Sequence, residues 1–138
     1  MVFASCQSRK NVDEINTLLD NWHRAAAKAD MKGYFEFMAD DFVFIGTDSS
    51  EIWSKKEFQT WAEPYFKRGK AWSLKATSRR VSFNTKGKMA WFDELLFTGA
   101  GTWRGSGVLT KEHHQWKLRQ YVLSVTLPNE KMKEFNAL

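Results

Sequence analysis

The chain has 138 residues, 43% of them hydrophobic and 27% charged, with a net charge of +5; this is long enough for one domain with a sizeable core and ordinary for a soluble composition. No run approaches the roughly 18–20 consecutive apolar residues of a membrane span, and a lone cysteine, Cys6, excludes an internal disulfide and a cysteine-based zinc site. The Lys and Arg residues are scattered among acids and aromatics and form no basic stripe, so the positive balance reads as a solvated surface, with no nucleic-acid partner implied.

Residues 1–10 read as a disordered N-terminal segment, and 11–138 as a single domain. "FASCQSRKN" sets small residues before Cys6 and polar ones after it, in the manner of a bacterial lipoprotein cleavage site. A working signal needs about 7–15 apolar residues ahead of that point, and only a few are present. As the sequence stands the expectation is a cytoplasmic protein, with an exported, lipid-anchored form as the alternative.

The first helix is expected from about Asn11 to Ala29, with Asn11 as cap and Glu14 completing a capping box. Ile15, Leu18, Leu19, Trp22, Ala26 and Ala29 fall on one face at helical spacing. A short second helix starts near Asp30, with Tyr34, Phe35 and Met38 as its apolar contacts. Phe42 to Gly46 reads as a buried strand. Ser54 and Glu57 form a capping box for a third helix carrying Phe58, Trp61, Ala62, Tyr65 and Phe66, and Pro64 is expected to end or kink it.

From Trp72 onward the pattern turns to strands, near 73–84, 88–98, 102–111 and 115–126, joined by the short turns "NTKGK", "TGAG" and "KEHHQ". Such turns make a twisted antiparallel meander. Pro128-Asn129 ends the last strand, and a short helical turn closes the chain. In that strand strict alternation puts Trp116, Leu118, Gln120 and Val122 on one face and Tyr121, Leu123 and Val125 on the other. The second set is apolar enough to meet a partner subunit.

"DDFVFIGTDSSEIWSKKEF", "AWFDE", "WRGSGVL" and "WKLRQYVLSVTLPN" occur in that order. Together they resemble the SnoaL-like family of the nuclear transport factor 2-like superfamily, over residues 11 to 129. The resemblance implies an α+β cone-shaped barrel, with three N-terminal helices packed on a strongly bent antiparallel sheet. It implies an apolar cavity at the open end for a small-molecule ligand, and a homodimer through the outer sheet face. It names no reaction, because the fold serves isomerases, cyclases, dehydratases and non-catalytic association domains alike.

Catalytic members of the superfamily often move a proton with an Asp or a His–Asp pair, so an inward carboxylate is the first thing to seek. "AWFDE" supplies one, since alternation sends either Asp93 or Glu94 to the cavity face, and an acid there needs a partner or a function. Arg104 on the next strand is the natural partner, as structural counter-ion or as the group that stabilises an oxyanion. Gly105 and Gly107 mark a bend or a close approach, and present Ser106 with Arg104 on the opposite face.

Asp48 and Glu51 are rim candidates, set against a turn-forming role at Asp48 and a loop acid near a helix start at Glu51. Trp53, Trp61, Tyr65, Trp91 and Gln120 complete the expected ligand-binding set. His113 and His114 lie in a hairpin loop and His23 beside polar Asn21 and Arg24, which reads as exposed. No metal site and no cofactor is implied. If the protein is an enzyme, the expected chemistry is cofactor-free isomerisation, cyclisation or dehydration of a mostly apolar carbonyl compound.

Overall fold

The computed structural model describes residues 2–138, with side chains from residue 7 onward; Cys6, on which the lipid-anchor reading turns, therefore lies outside the described side chains. The elements are α1 (Val2–Ala27), α2 (Met31–Glu36), β1 (Met38–Ile45), β2 (Ile52–Ser54), α3 (Lys55–Lys67), β3 (Lys75–Phe83), β4 (Met89–Phe97), β5 (Thr102–Glu112), β6 (Gln115–Val125), a 3-10 turn (Asn129–Lys131) and α4 (Met132–Phe135). The six strands form one open sheet in the order β2-β1-β6-β5-β4-β3. Helices packed on a curved sheet match the expected α+β cone.

The sheet is mixed, which corrects the all-antiparallel expectation. The meander from β3 to β6 is antiparallel throughout, but β1 runs parallel to β6. Hairpin turns dictate antiparallel neighbours; β1 and β6 are separated by α3 and the whole meander, so no turn constrains their direction. β2 was not expected. It pairs antiparallel with β1 through the loop after Gly46, whose N–H donates to Glu51 O at 2.8 Å.

α1 begins upstream of Asn11, so Asn11 is a helix-interior residue that accepts a hydrogen bond from Gln7 Nε2 at 3.2 Å and is not a cap. The helix buries Ile15, Leu19, Trp22, His23 and Ala26. It ends with Ala29 in the left-handed region (φ 56°), while Asp30 N–H returns to Ala25 O at 2.8 Å. This is a Schellman closure made without glycine. Asp30 then caps α2, accepting from Gly33 N–H at 2.9 Å.

The Ser54–Glu57 capping box is present at the start of α3. Pro64 does not end that helix, which runs on to Lys67. The carbonyl that loses its partner, on Thr60, belongs to an exposed residue, where water can satisfy it.

The core sits between α1, α2 and α3 and the concave face of the sheet. Ala90, Phe92, Glu94 and Leu96 of β4 point into it, with Gly105, Gly107 and Leu109 of β5 and Trp116, Leu118 and Tyr121 of β6. Strict alternation fails in β6. Val108 pairs with Gln120 but Leu109 with Leu118, which leaves Arg119 as an extra residue, a β-bulge. One extra residue inverts the faces beyond it. Gln120 is therefore exposed on the convex face, while Tyr121 and Leu123 turn inward, against the expectation that they form the outer, partner-facing set.

Candidate functional site

A cavity of about 400 Å³ opens between the helices and the concave sheet face. That lies within the roughly 300–1,000 Å³ of small-molecule sites. Its wall is mainly aromatic: Trp22, Tyr34, Phe58, Trp61, Trp72 and Trp103, with Phe44, Tyr121 and Leu123 beside them. Ser73 and Thr98 are its small polar contributors, and no charged side chain lines it.

Helical spacing builds one side. Phe58 and Trp61 lie three residues apart on α3, and Trp22 projects from the buried face of α1. The rings brace one another. Trp22 stacks on Tyr34 at 4.9 Å and 13°, Phe58 stacks on Phe44 at 4.2 Å, and Trp61 meets Trp72 at 5.9 Å. Such contacts add to simple burial in holding the rings against one another.

Behind Tyr121 lies a buried polar network centred on Glu94, the one fully buried carboxylate among the described residues. Its Oε1 accepts from His23 Nε2 at 2.7 Å and from the Tyr121 hydroxyl at 2.8 Å. Its Oε2 accepts from Arg79 Nε at 2.8 Å and Nη2 at 2.7 Å. Arg79 in turn binds Asp20 Oδ1 at 2.9 Å, and Asn16 O and Oδ1 at 3.2 Å. Gly105 makes room for this network, because a β-carbon there would overlap the Tyr121 hydroxyl and crowd Glu94 Oε1.

Burial alone would raise the Glu94 pKa; the His23 hydrogen bond and charge, the Arg79 charge and the Tyr121 hydrogen bond outweigh it and hold the carboxyl below its ordinary value. Glu94 is thus ionised at neutral pH and only accepts, so His23 donates from Nε2. Burial pushes the Tyr121 phenol well above its usual value, and the Glu94 charge adds to this. Burial does the same to Tyr34, against a smaller opposing hydrogen bond with the Trp72 side chain. Both phenols are therefore neutral.

The structure separates the residues singled out from sequence. Of the pair left open, Glu94 faces in. Asp93 faces out and pairs with Arg80 at 2.9 Å. Arg104 is exposed on the convex face beside Leu95, so the partner of the buried carboxylate is Arg79 of β3 and not Arg104. Ser106, Trp91 and Gln120 also lie on the convex side, paired with Asp93, Val108 and Val108 respectively. Asp48 sits in the β1–β2 loop, accepting from the Ser50 N–H and hydroxyl, bonds that lower its pKa. Glu51 Oε2 accepts from the Asp48 N–H at 3.2 Å.

Trp61 lines the cavity. Trp53 and Tyr65 support it from behind, their rings 5.0 and 4.8 Å from the Trp61 ring.

His23, expected to be exposed from its polar neighbours, is buried, at 4% exposure. Its position already carried the signal, four residues past Leu19 and eight past Ile15, on the buried stripe. Arg79 had no comparable signal, since a lone basic residue in a strand points to no particular partner. Among the described residues no group of His, Cys, Asp and Glu could hold a metal ion, and no helix is long and apolar enough to cross a membrane.

The family model for the SnoaL-like domain matches residues 15–128. Among solved structures, an NTF2-like protein of unknown function from Pseudomonas putida superposes with a TM-score of 0.71 at 19% identity, covering 86% of this chain and 89% of its own. An NTF2-like protein of unknown function in nutrient uptake from Rhodospirillum rubrum gives 0.66 at 20% identity, over 82% and 98%. A protein of unknown function with a cystatin-like fold from Nostoc punctiforme gives 0.65 at 16%, over 82% and 89%. At these identities the likeness is one of fold. No curated protein matches the chain.

Proposed function

The chain belongs to the family of SnoaL-like domains, and on that premise we propose that it binds a small, flat, mostly apolar molecule in the aromatic cavity. The observation that carries this reading is the wall itself: about 400 Å³ bounded by stacked indole and phenyl rings, with no charged side chain among them. Desolvating a flat apolar molecule there is favourable by about 25 cal/mol for each Å² buried.

Binding is favoured over turnover by the state of Glu94. Four donor groups fill its acceptor sites, and its pKa is lowered. A general base works best with a pKa near the operating pH, and Glu94 is moved the other way.

Titration of tryptophan fluorescence with a neutral flat probe such as 2-acetylnaphthalene tests the reading. Saturable quenching is expected, and Leu123→Trp, which fills the cavity, should abolish it. Quenching that fails to saturate, or that survives in Leu123→Trp, overturns the reading.

A second reading, cofactor-free acid–base chemistry of the isomerase, cyclase or dehydratase type, draws on one observation. Tyr121 both walls the cavity and bonds Glu94, which in turn bonds His23. It requires deuterium exchange into the methyl group of bound 2-acetylnaphthalene that is lost in Tyr121→Phe.

For the partner, we infer a homodimer through the convex sheet face. Trp91 and Phe97 support it, 47% and 52% exposed on β4 where the outer side chains of β5 and β6 add Val108 and Val122. Light scattering of Trp91→Glu should then report half the wild-type mass.

A further inference from the structure

A second cleft, of about 280 Å³, adjoins the aromatic cavity. Leu74 lines both. The two also meet along α1, where Trp22 walls the cavity and the next residue, His23, walls the cleft, their rings 5.0 Å apart. Leu74 belongs to the irregular loop between α3 and β3 and is half-buried. The residue shared by both spaces thus lies in a segment with no regular structure.

The two spaces differ in chemistry. No charged group lines the cavity, whereas Asp20, His23, Arg24 and Lys75 line the cleft. Arg24 is bonded only to the neutral Asn21, at 2.7 Å, and neither Arg24 nor Lys75 has an acidic partner among the described residues. The one carboxylate of the cleft wall, Asp20, is bound by Arg79 at 2.9 Å. The cleft therefore offers two cations without an acidic partner, beside one acid whose Arg79 partner is shared with Glu94.

We propose that cavity and cleft form one bipartite site for an amphipathic anion. Its flat apolar body fills the aromatic cavity, and its acid head passes Leu74 to reach Arg24 and Lys75. This deepens the ligand-binding reading and rests on it. An acid group left inside the cavity would be desolvated with no counter-ion, at large cost. Carried past Leu74, it gains charge-assisted hydrogen bonds, which Arg24 can make in bidentate form.

The test uses the full chain and a matched pair of probes, 4-(2-naphthyl)butanoate and its methyl ester, followed by tryptophan fluorescence. Wild type should bind the acid about tenfold more tightly than the ester, the size expected for two partly exposed ion pairs. The double variant Arg24→Gln/Lys75→Gln, both sites being exposed, should lose that advantage while holding the ester within about twofold. High salt should weaken the acid alone.

An ester that binds as tightly as the acid overturns the bipartite site and leaves the cavity reading standing. So does a double variant that keeps the preference for the acid. Failure of both probes to bind wild type removes the cavity reading and the bipartite site with it.

Discussion

His23 and Glu94 meet through a 2.7 Å hydrogen bond from Nε2 to Oε1, although 71 residues of sequence separate them. The bond fastens α1 to the centre of β4. Arg79, on the neighbouring strand, completes the same carboxylate and returns to α1 through Asn16 and Asp20. Helix and sheet are thus clamped from two sides just behind the cavity wall, and the clamp keeps Tyr121 in place.

Removing Arg79 should be costly, because Oε2 of the buried Glu94 carboxylate is left without a donor and its charge without the guanidinium. Arg79→Met is expected to destabilise the protein by roughly 3–5 kcal/mol, the range for breaking a buried ion pair from one side. Urea denaturation measures it. A loss under about 1 kcal/mol would mean that water reaches Glu94 and the clamp is weak.

Acid should loosen the same clamp. The Glu94 carboxyl has a folded pKa below its ordinary 4.5. As pH falls the unfolded chain takes up the proton first, so the stabilisation is fully present above that ordinary value and drains away as pH drops through the folded one. Melting temperature against pH should fall more steeply on the acid side in wild type than in Glu94→Gln, which has nothing to titrate there. Parallel curves would remove Glu94 as the source.

Gly105→Ala tests the room the network needs. The new methyl would overlap the Tyr121 hydroxyl, and overpacking of that kind costs about 1–3 kcal/mol. Gly101→Ala is the control, since nothing lies within 4 Å of a β-carbon there. Thermal melts of the two variants should differ in the stated order. An unchanged Gly105→Ala would show that Tyr121 moves aside freely.

Ala29→Gly should stabilise. Ala29 holds a φ of 56° at the end of α1, which L-residues with a β-carbon adopt at a cost. Glycine removes that strain and should gain about 1 kcal/mol, offset in part by the entropy of a freer unfolded chain. A lowered melting temperature would show that the methyl group of this half-buried residue contributes more by packing than it costs in strain.

Local chemistry was enough for much of this protein. The apolar stripe of α1, the Ser54–Glu57 cap and the antiparallel meander all follow from local patterns, because periodicity, capping and turn formation act between near neighbours. Even the buried His23 stands on that stripe, four residues past Leu19.

Tertiary structure alone decided which groups form the site. Whether Asp93 or Glu94 faces in depends on the sheet's curvature against the helices, and one extra residue at Arg119 exchanges Gln120 for Tyr121 on the concave face. The direction of β1 against β6 is set by packing, with no connecting turn to impose it. The counter-ion of Glu94 comes from Arg79, brought alongside by pairing of β3 with β4. A buried charge is tolerable only where its partners converge in space, and for Glu94 those partners come from α1, β3 and β6, so no short stretch of sequence contains that constellation.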